Sequence, residues 1–409
     1  MLAIEPARRR RPAGGKLAIA LAGGGPLGAF YELGALHAIG EAILGRELTQ
    51  YDVYVGVSSG SLLAAALANG FDTTAMGSAL IRDESTLVPF SPAILLRPAI
   101  REYARRFALL PDALGSIARQ YARDPLRSSW ATALSSLAKV LPAAVFDNRP
   151  VESYLQSLFG TNGHTDEFRK LRARLYLVAT DLDTGESVAF GTRGHDRVPI
   201  SRAAIASAAL PGLYPAVEIE GRHYVDGALI RTMHASLALE AGCTLVICIN
   251  PLVPFRTPRK RMPGRGPLAD QGIDKILGQT FRALIHSRMQ VGMASYAQRF
   301  PHADTLLLEP DREDETLFFT NVFRYSGRHR LAEHAYQQTR RDLLAQADAL
   351  APVLRAHGLE LDVERLRKRR RSFSTAAEEQ SIHVGRTTVR LGRMLDRLER
   401  TLPHLDVRG

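Results

Sequence analysis

Residues 17–28 read LAIALAGGGPLG, and this stretch decides the fold that the sequence predicts. Its first six residues are a continuous apolar run, which is typical of a parallel strand covered on both faces. Its last six residues form a glycine-rich loop. Apolar side chains then recur every three or four residues from Ala29 to Ile43, and Gly45 follows as a stop, which predicts a helix. The order strand, loop, helix predicts the first unit of an α/β domain.

A second unit of the same kind begins soon after the first. VYVGV (53–57) predicts a strand, and SGSLLAAALANG (59–70) predicts a helix. Short connections between these elements favour a doubly wound α/β core. The pattern resumes later in the chain and is expected to complete the sheet, with segments at 174–181, 186–190, 217–228, 244–249 and 304–310 and a small-residue helix at 201–210.

We predict a three-layer α/β fold whose doubly wound sheet is mostly parallel. Prolines interrupt the helical patterns of residues 71–150, so a helical insertion over the core is expected there. The predicted boundaries are a basic N-terminal flank at 1–15, the α/β domain at 16–350 and a basic helical C-terminal extension at 351–409.

Composition and charge narrow the class of protein. With 45% hydrophobic and 23% charged residues, the chain is neither disordered nor fibrous in character. The net charge of +11 favours acidic partners and is concentrated in runs at 8–11 and 365–371. Each run is interpreted either as a solvated flank or as a surface that binds an anionic membrane or a partner. Nucleic acid is not expected, because the runs lack interleaved aromatic residues.

Cysteine placement bears on the compartment. Cys243 and Cys248 lie in one predicted strand and point to opposite faces, so they are not expected to pair, which fits a reducing compartment. No apolar run reaches the roughly 18 residues of a membrane span. We therefore expect a cytoplasmic protein, with peripheral attachment to the inner face of the membrane through the basic runs. The alternative is a twin-arginine export signal that uses residues 17–22 as its apolar region.

Gly56, Ser58 and Gly60 form a G-x-S-x-G pattern between a predicted strand and a predicted helix. A serine hydroxyl is a poor nucleophile unless it is exposed and activated. A sharp turn lifts the side chain out of the fold, and flanking glycines leave room for backbone and substrate. The pattern alone arises by chance in roughly one chain in eight of this length. Its position between strand and helix makes Ser58 a candidate nucleophile.

The glycine-rich loop is a candidate oxyanion hole for acyl transfer. Consecutive glycines at a helix N-terminus expose backbone N–H groups, and the helix dipole favours negative charge there. Because Pro26 has no N–H, Gly24 and Gly25 are the candidate donors of the loop. The N–H of Ser59, which follows the candidate nucleophile, is the natural additional donor.

The same loop also matches G-x-G-x-x-G, the pattern of dinucleotide-binding sites. Such a site requires an acidic residue at the far end of the second strand, where it holds the ribose. Asp52 precedes that strand and so lies at the wrong end of it. The dinucleotide site is therefore the weaker interpretation, and we expect neither an organic cofactor nor a metal.

Two residues are candidates for the base that activates Ser58. Asp226 follows a short apolar strand in HYVDGALI, although Asp-Gly is also a common turn signal. His234 would complete the order Ser, Asp, His that is typical of α/β-hydrolases, or it simply follows the turn. His37 lies in the first predicted helix and is interpreted as a helix histidine without a catalytic role.

Together, GGGPLG, GVSSG and DGA resemble three motifs of the patatin-like phospholipase family, in the order of that family. ATDLDTGESVAF and ASAALPGLYPAV resemble its intervening blocks, so the resemblance covers most of residues 17–250. It implies a dyad that needs no histidine, in which Ser58 is the nucleophile and Asp226 takes its proton. It also implies that five motif glycines shape the site, namely Gly23, Gly28, Gly56, Gly60 and Gly227.

The chain departs from the family pattern at two places. Leu27 stands where many members carry a basic residue. Arg231 to His234 replace the Asn and Pro that often follow DGA, the aspartate motif of the family. Both changes leave the dyad intact. They weaken any transfer of substrate preference from the family.

The sequence predicts hydrolysis of a lipid carboxylic ester, of the phospholipase A, lysophospholipase or lipid esterase type, through a covalent acyl-Ser58 intermediate. A long acyl chain needs an apolar groove, which the insertion around Leu95 and Leu96 and the segment 210–214 are expected to line. The alternative is a catalytically silent protein on the same fold that binds a membrane or a partner. Its signature would be a missing serine or aspartate, and both are present.

Overall fold

The structure of the chain is a computed structural model. It describes residues 1–9, 15–82, 88, 90–123, 140, 142–230, 233–257, 267–319, 327–368 and 370–374. Parts of four predicted features lie outside these residues: residues 10–14 of the N-terminal flank, 83–87, 89, 124–139 and 141 of the helical insertion, 231–232 after the aspartate motif, and 369 and 375–409 of the C-terminal extension.

The described strands, in chain order, are β1 (Leu2–Glu5), β2 (Lys16–Leu21), β3 (Ile43–Leu44), β4 (Val53–Val57), β5 (Arg174–Asp181), β6 (Ser187–Phe190), β7 (Val217–Ile219), β8 (Arg222–Asp226), β9 (Cys243–Ile249), β10 (Asp304–Leu308) and β11 (Glu360–Leu361).

The described helices are α1 (Gly25–Ala42), α2 (Ser59–Ala68), α3 (Thr73–Leu80), α4 (Ile100–Phe107), α5 (Leu110–Arg123), α6 (Arg149–Phe159), α7 (Ile200–Ser207), α8 (Ser236–Glu240), α9 (Ile273–Arg299), α10 (Glu315–Phe319), α11 (Arg328–Ala345), α12 (Ala347–Arg355) and α13 (Val363–Arg367). Short 3₁₀ turns include Pro92–Leu96 and Gly227–Leu229. Within the described residues, no helix is both long enough and apolar enough to cross a membrane.

Nine of the strands form one sheet, in the order β1-β10-β9-β2-β4-β5-β8-β7, with β6 paired to β5. The five central strands, from β10 to β5, are parallel. The strands beyond them are antiparallel at both sides. This arrangement confirms the predicted α/β fold with a mostly parallel sheet.

Strand β2 shows why the sheet carries helices on both faces. Ile19 packs into the larger core together with residues of α1, α2, α7 and α11. Its neighbours Ala18 and Ala20 belong to a second core on the opposite face, which includes α8 and Tyr296 of α9. Successive side chains of a strand point to opposite faces, so a strand between two apolar layers has no polar position. The continuous apolar run 17–22 is thus explained.

The segment 217–228 forms two strands rather than one. β7 and β8 pair as an antiparallel hairpin, and its turn lies at Glu220 and Gly221, which have φ of 51° and 77°. Two successive residues with positive φ are typical of the tight turns that join hairpin strands. The hairpin places Asp226 at the end of β8, beside β5.

The N-terminal residues differ from the predicted flank. Residues 2–5 form β1, an edge strand of the main sheet that pairs with β10 in antiparallel register. The sequence shows no sign of this pairing, because LAIE is short and its partner strand lies about 300 residues away. The α/β domain therefore includes residues on the N-terminal side of residue 16.

The described part of the predicted C-terminal extension packs on the α/β domain. The boundary predicted at residue 351 falls inside α12, and β11 pairs with β3. Arg340 of α11 donates hydrogen bonds to the main-chain carbonyl groups of Arg365, Leu366, Lys368 and Arg371. Such a clamp fixes the path of the chain over α11.

The basic run at 365–371 is divided between two roles. Arg371 forms an ion pair with Glu41 of α1 (2.5 Å), and Arg365 donates to the carbonyl oxygen of Glu41 (3.2 Å). These two arginines tie the C-terminal segment to the core. The exposed members among the described residues are Arg367, Lys368 and Arg370.

Helix α1 is buried on nearly all sides because it packs against both the sheet core and α11. Gly34 lies where α11 comes close, since a Cβ there would lie 2.2 Å from the carbonyl oxygen of Ala332. Glu32 on the same helix is 0% exposed. Among the described residues, neither of its carboxylate oxygens has a hydrogen-bond partner.

Burial raises the pKa of Glu32 well above its ordinary value. The N–H of Ala22 lowers this pKa in part, but it already donates to the carbonyl oxygen of Ile249 (3.1 Å). The folded chain therefore keeps a proton on Glu32 that the unfolded chain releases above about pH 4.3. Stability contributed by the protonated side chain is complete below that pH and is lost as the pH rises through the folded-state pKa.

We expect Glu32→Gln to increase the free energy of unfolding at pH 8. The free energy of unfolding of wild type falls by about 1.4 kcal/mol for each pH unit between the unfolded and folded pKa values of Glu32. Glutamine does not ionise, so the variant has no such loss. Urea denaturation should show that the free energy of unfolding of Glu32→Gln exceeds that of wild type by more at pH 8 than at pH 5. Glu47→Gln, at an exposed position, is the control and should show no such gain. A Glu32→Gln variant that is less stable than wild type at pH 8 would contradict this account.

Candidate active site

The three predicted motifs meet at one edge of the sheet. β2 and β4 are parallel neighbours, so the loop after Leu21 and the turn after Val57 leave the sheet at the same edge. β5 pairs with β4 on one part of its length and with β8 further along. Asp226 at the end of β8 is thereby brought to the edge where Ser58 lies.

Ser58 occupies the turn between β4 and α2 with φ of 53° and ψ of −126°. A residue with a side chain is strained by about 1–3 kcal/mol in this region and stays there only when its neighbours enforce it. The N–H of Ser58 donates to the Oγ of Ser207 (2.9 Å), and its carbonyl oxygen accepts from the Oγ of Ser61 (2.5 Å). The main chain on both sides of the serine is therefore held in place.

The turn at residues 56–60, which we call the elbow, needs glycine on both sides of Ser58 because the backbone approaches closely there. A Cβ at Gly60 would lie 2.6 Å from the carbonyl oxygen of Ala22, and a Cβ at Gly56 would lie 2.5 Å from the Cα of Ser61. Both distances are too short for any side chain. Gly227 is under the same constraint, since its Cβ would lie 2.2 Å from a carbonyl oxygen of β5.

The hydroxyl of Ser58 donates a hydrogen bond directly to Asp226. Its Oγ lies 2.5 Å from the Oδ2 of Asp226, although 168 positions separate the two residues in sequence. The other carboxylate oxygen accepts from the N–H of Ala228 (2.8 Å). The main chain of Asp226 donates to the carbonyl oxygen of Ala209 (3.0 Å) and accepts from the hydroxyl of Thr180 (3.1 Å). The carboxylate is therefore fixed in position and in orientation.

Burial changes the acidity of Asp226, which is 1% exposed. Desolvation raises its pKa from 3.8 to about 6, while the hydrogen bonds from Ser58 and Ala228 favour the ionised form and limit the rise. At neutral pH the side chain remains ionised, yet it holds a proton roughly a hundredfold more strongly than an exposed aspartate. The arrangement can deliver a proton acceptor to the oxygen of Ser58.

The glycine loop lies against Ser58 and against the segment after β9. A Cβ at Gly23 would lie 2.8 Å from the Cβ of Ser58, and one at Gly24 would lie 2.6 Å from Pro251. A Cβ at Gly28 would lie 3.1 Å from the Cγ of the same proline. Because α1 begins at Gly25, the N–H groups of its first turn have no acceptor within the helix. These groups are available for a negatively charged oxygen next to Ser58.

An apolar cavity of about 840 Å³ opens beside Ser58. Its walls come from α1, α2, α3, α6 and the end of α7, and Gly25, Ser58 and Ser59 line it. The groove walls expected from the sequence are partly found, because the lining includes Leu95, Leu210, Leu213 and Tyr214. Leu96, the other residue expected there, is not among the lining residues.

The two histidines considered from the sequence take different positions. His37 is buried in α1, where its Nδ1 lies 2.9 Å from the Oγ1 of Thr73 and its ring packs near Tyr336 and Phe373. Burial lowers the pKa of His37 to about 4, so it is neutral in the core. His234 is also buried and has a φ of 45°. The side chain that accepts the hydrogen bond of the Ser58 hydroxyl is Asp226.

Asp52 lies at the end of the sheet opposite the glycine loop. Its carboxylate accepts from the N–H of Leu17 at the start of β2 (2.8 Å) and forms an ion pair with Arg46 (2.9 Å). A ribose held by Asp52 would be far from a pyrophosphate on the glycine loop, so the geometry gives no support to the dinucleotide interpretation. Among the described residues, no group of three or more His, Cys, Asp or Glu side chains is placed to hold a metal ion.

Sequence reasoning missed three residues that shape the site. Ser207 and Ser61 hold the turn at Ser58, and Pro251 packs against the glycine loop. Ser207 lies in a helix rich in small residues, and Pro251 lies two residues after the end of β9. Neither pattern indicates which distant residue will be its neighbour.

Comparisons with known proteins give one match in sequence and several in structure. A model of the patatin-like phospholipase family matches residues 19–239. Comparison with curated proteins gives no match. VipD from Legionella pneumophila is 12% identical with a TM-score of 0.30, and the match covers 87% of this chain and 82% of that chain. The type III effector ExoU is 17% identical with a TM-score of 0.27, over 84% of this chain and 66% of that chain. ExoU from Pseudomonas aeruginosa in complex with SpcU is 14% identical with a TM-score of 0.26, over 84% and 65%.

The family match spans more than half of the chain and includes the glycine loop, the elbow and Asp226. The observed sheet, which is mostly parallel with helices on both faces, agrees with it. The chain therefore belongs to the patatin-like phospholipase family of lipid hydrolases.

Proposed function

We propose that the protein hydrolyses carboxylic esters of lipids, with Ser58 as the nucleophile and Asp226 as the base. The observation that carries this proposal is the 2.5 Å hydrogen bond from the Ser58 Oγ to the Asp226 Oδ2 beside an apolar cavity. A hydroxyl already bonded to a carboxylate is ready to lose its proton as it attacks. The substrate class is that of a phospholipase A, a lysophospholipase or a lipid esterase.

In the first half-reaction, the Ser58 Oγ attacks the ester carbonyl carbon while its proton moves to the Asp226 Oδ2. The resulting tetrahedral intermediate carries a negative charge on the former carbonyl oxygen. When it collapses, the bond to the alcohol oxygen breaks, and that oxygen takes the proton from Asp226. The alcohol leaves, and the acyl group stays on Ser58.

In the second half-reaction, a water molecule takes the place of the alcohol. Asp226 accepts one proton from the water as its oxygen attacks the acyl carbon. The bond from that carbon to the Ser58 Oγ then breaks, and the proton on Asp226 returns to Ser58. The free carboxylic acid leaves, and the resting hydrogen bond forms again.

The oxyanion of both intermediates would be held by the backbone N–H groups of Gly24, Gly25 and Ser59. The proposal is supported by the contact between the glycine loop and Ser58 and by the helix N-terminus at Gly25. Donors that are fixed in place before the reaction need no rearrangement when the charge develops.

The acyl chain would lie in the cavity, whose volume is about 840 Å³. Burial of each methylene group there contributes about 0.8 kcal/mol. We also retain peripheral attachment to an anionic membrane as part of the proposal. The exposed cations Arg367, Lys368 and Arg370 are the part of the C-terminal run that the fold leaves open to such a surface.

Loss of either member of the dyad is expected to abolish catalysis. Ser58→Ala should remove labelling by a fluorophosphonate probe and lower the hydrolysis of p-nitrophenyl esters at least ~1,000-fold, because the nucleophile is gone. Asp226→Asn should lower hydrolysis by a similar factor, since an amide cannot accept the serine proton. Thermal unfolding of each variant confirms that it is folded.

His234→Ala is the control and is expected to keep most of the hydrolysis. If hydrolysis depended on His234 as strongly as on Asp226, a triad would replace the dyad. A folded wild type that neither labels nor hydrolyses any ester would instead favour the catalytically silent protein.

The rate of hydrolysis should follow the ionisation of Asp226. Because the protonated carboxyl group cannot accept the Ser58 proton, kcat/KM is expected to fall as the pH is lowered through about 6. An exposed aspartate would place this limb near pH 3.9. Initial rates measured from pH 4 to pH 8 in a pH-stat give the midpoint of this fall in kcat/KM. Unfolding curves over the same range separate ionisation of Asp226 from acid denaturation. A midpoint near 4 would contradict the assignment.

Narrowing the cavity should change the preference for acyl length. Wild-type kcat/KM is expected to rise with chain length by up to about fourfold per methylene. Ala79 lines the cavity from α3, so Ala79→Trp should flatten that rise while short-chain esters are still hydrolysed. Ala349→Trp, at an exposed position on α12, is the matched control. Identical chain-length profiles for wild type and Ala79→Trp would show that the acyl chain binds elsewhere.

A further inference from the structure

The hydroxyl of Ser59 is buried beside Ser58 and has no hydrogen-bond partner in the part of the chain that the structure describes. Ser59 is 5% exposed and lines the catalytic cavity. Among the described residues, none forms a hydrogen bond with its Oγ. Leaving a buried hydroxyl unbonded destabilises a folded protein, so a group of this kind needs a specific reason.

The other three serines around this turn all have partners. Ser58 donates to Asp226 (2.5 Å), Ser61 donates to the carbonyl oxygen of Ser58 (2.5 Å), and Ser207 donates to the carbonyl oxygen of Val178 (2.5 Å). Acceptors are therefore close at hand in this part of the structure. The Ser59 hydroxyl differs from its neighbours in being directed to a place where the protein offers none.

That place is on the glycine-loop side of Ser58. The Ser59 Oγ lies 3.4 Å from the position that a Cβ on Gly28 would occupy, so it faces the first turn of α1. Gly25 of the same turn lines the cavity together with Ser58 and Ser59. The carbonyl oxygen of an ester attacked by Ser58 becomes negative and is repelled by the carboxylate of Asp226. It is therefore favoured on the side of Ser58 that faces the N-terminus of α1, and the side chain of Ser59 is directed to that side.

We propose that the Ser59 Oγ–H donates a hydrogen bond to the carbonyl oxygen of the bound ester, as a side-chain member of the oxyanion hole. This inference rests on the proposed function and adds a donor to the backbone N–H groups named there. The bond strengthens as the acceptor becomes charged, and no covalent bond to Ser59 forms or breaks. Because no described residue holds the hydroxyl, it can turn to the oxyanion without losing a hydrogen bond to them.

Ser59→Ala tests the hydroxyl alone, since the backbone N–H of residue 59 is kept. We expect kcat to fall about 100-fold, as is typical for loss of one oxyanion donor. KM should stay within about threefold of wild type, because the bond matters most in the transition state. Ser59→Thr keeps a hydroxyl and should restore kcat to within about fivefold of wild type.

Thermal unfolding separates this role from a structural one. Ser59→Ala removes no hydrogen bond of the free protein, so its Tm should equal or exceed that of wild type. Ser61→Ala removes a hydroxyl that is bonded, and its Tm should fall by a few degrees. An unchanged kcat in Ser59→Ala, a rise in KM without a loss of kcat, or a lowered Tm would each overturn the proposal.

A long-chain alkyl trifluoromethyl ketone gives a check that does not depend on turnover, because its adduct with Ser58 carries an oxyanion. Binding followed by ¹⁹F NMR should weaken about 100-fold in Ser59→Ala, in line with the loss of kcat. If Ser58→Ala abolished binding while Ser59→Ala left it unchanged, the role of Ser59 would be wrong and the proposed function would stand. If binding were indifferent to Ser58→Ala, both would fall.

Discussion

A serine held at a φ of 53° constrains everything around it, because a side chain in that conformation is strained unless its neighbours enforce it. The enforcement comes from three elements. The Oγ of Ser207 in α7 accepts from the N–H of Ser58, and the Oγ of Ser61 in α2 donates to its carbonyl oxygen. Gly60 lets the start of α2 pack against the end of β2, since a Cβ there would lie 2.6 Å from the carbonyl oxygen of Ala22. The same approach brings the glycine loop, which leaves β2, against the serine. The strained turn and the position of the glycine loop are thus two results of one packing arrangement.

Two carboxyl groups in the core are equally buried but differ in the hydrogen bonds that they accept. Asp226 and Glu32 are 1% and 0% exposed, and desolvation raises the pKa of each. Asp226 accepts hydrogen bonds from Ser58 and Ala228, which preserve an ionised form with a pKa of about 6. Glu32 has no comparable donors among the described residues, and burial raises its pKa well above the ordinary value. Burying an ionisable group costs stability, and hydrogen bonds to the ionised form reduce that cost for Asp226.

The glycine loop is positioned from outside its own strand–helix unit. Gly24 and Gly28 pack on Pro251, two residues after the end of β9. Asn250 holds this segment, because its side chain donates to the Oε1 of Glu309 (2.7 Å) and accepts from the N–H of Leu252 (3.1 Å). Glu309 directly follows β10, so the segments after β9 and β10 set the place of the glycine loop and the start of α1. A change in this network would move the loop without touching the dyad.

The family and the mostly parallel α/β fold were predictable from sequence because their signals are local. The apolar run before GGGPLG, the turn GVSSG and the helix after each are encoded by periodicity and by glycines within about thirty residues, and the structure agrees with them. Asp226 could be singled out from the residues only as one of two candidate bases, since Asp-Gly is also an ordinary turn. The resemblance to the family decided between them, and the 2.5 Å contact with Ser58 agrees with that choice.

What only the tertiary structure decided depends on strand order and helix packing. Three features join residues that are distant in the chain: the strand at residues 2–5, the clamp of Arg340 on the C-terminal segment, and the contacts of Ser207 and Pro251 with the site. The environment of the Ser59 hydroxyl, which has no partner among the described residues, also depends on such packing. The sequence by itself determined most of the elements of the central sheet and the chemical groups that they carry, because periodicity and turn chemistry act over a few residues. Which groups meet was decided by the fold, because a hydrogen bond or a close approach is set by distances of a few ångströms that sequence spacing does not specify.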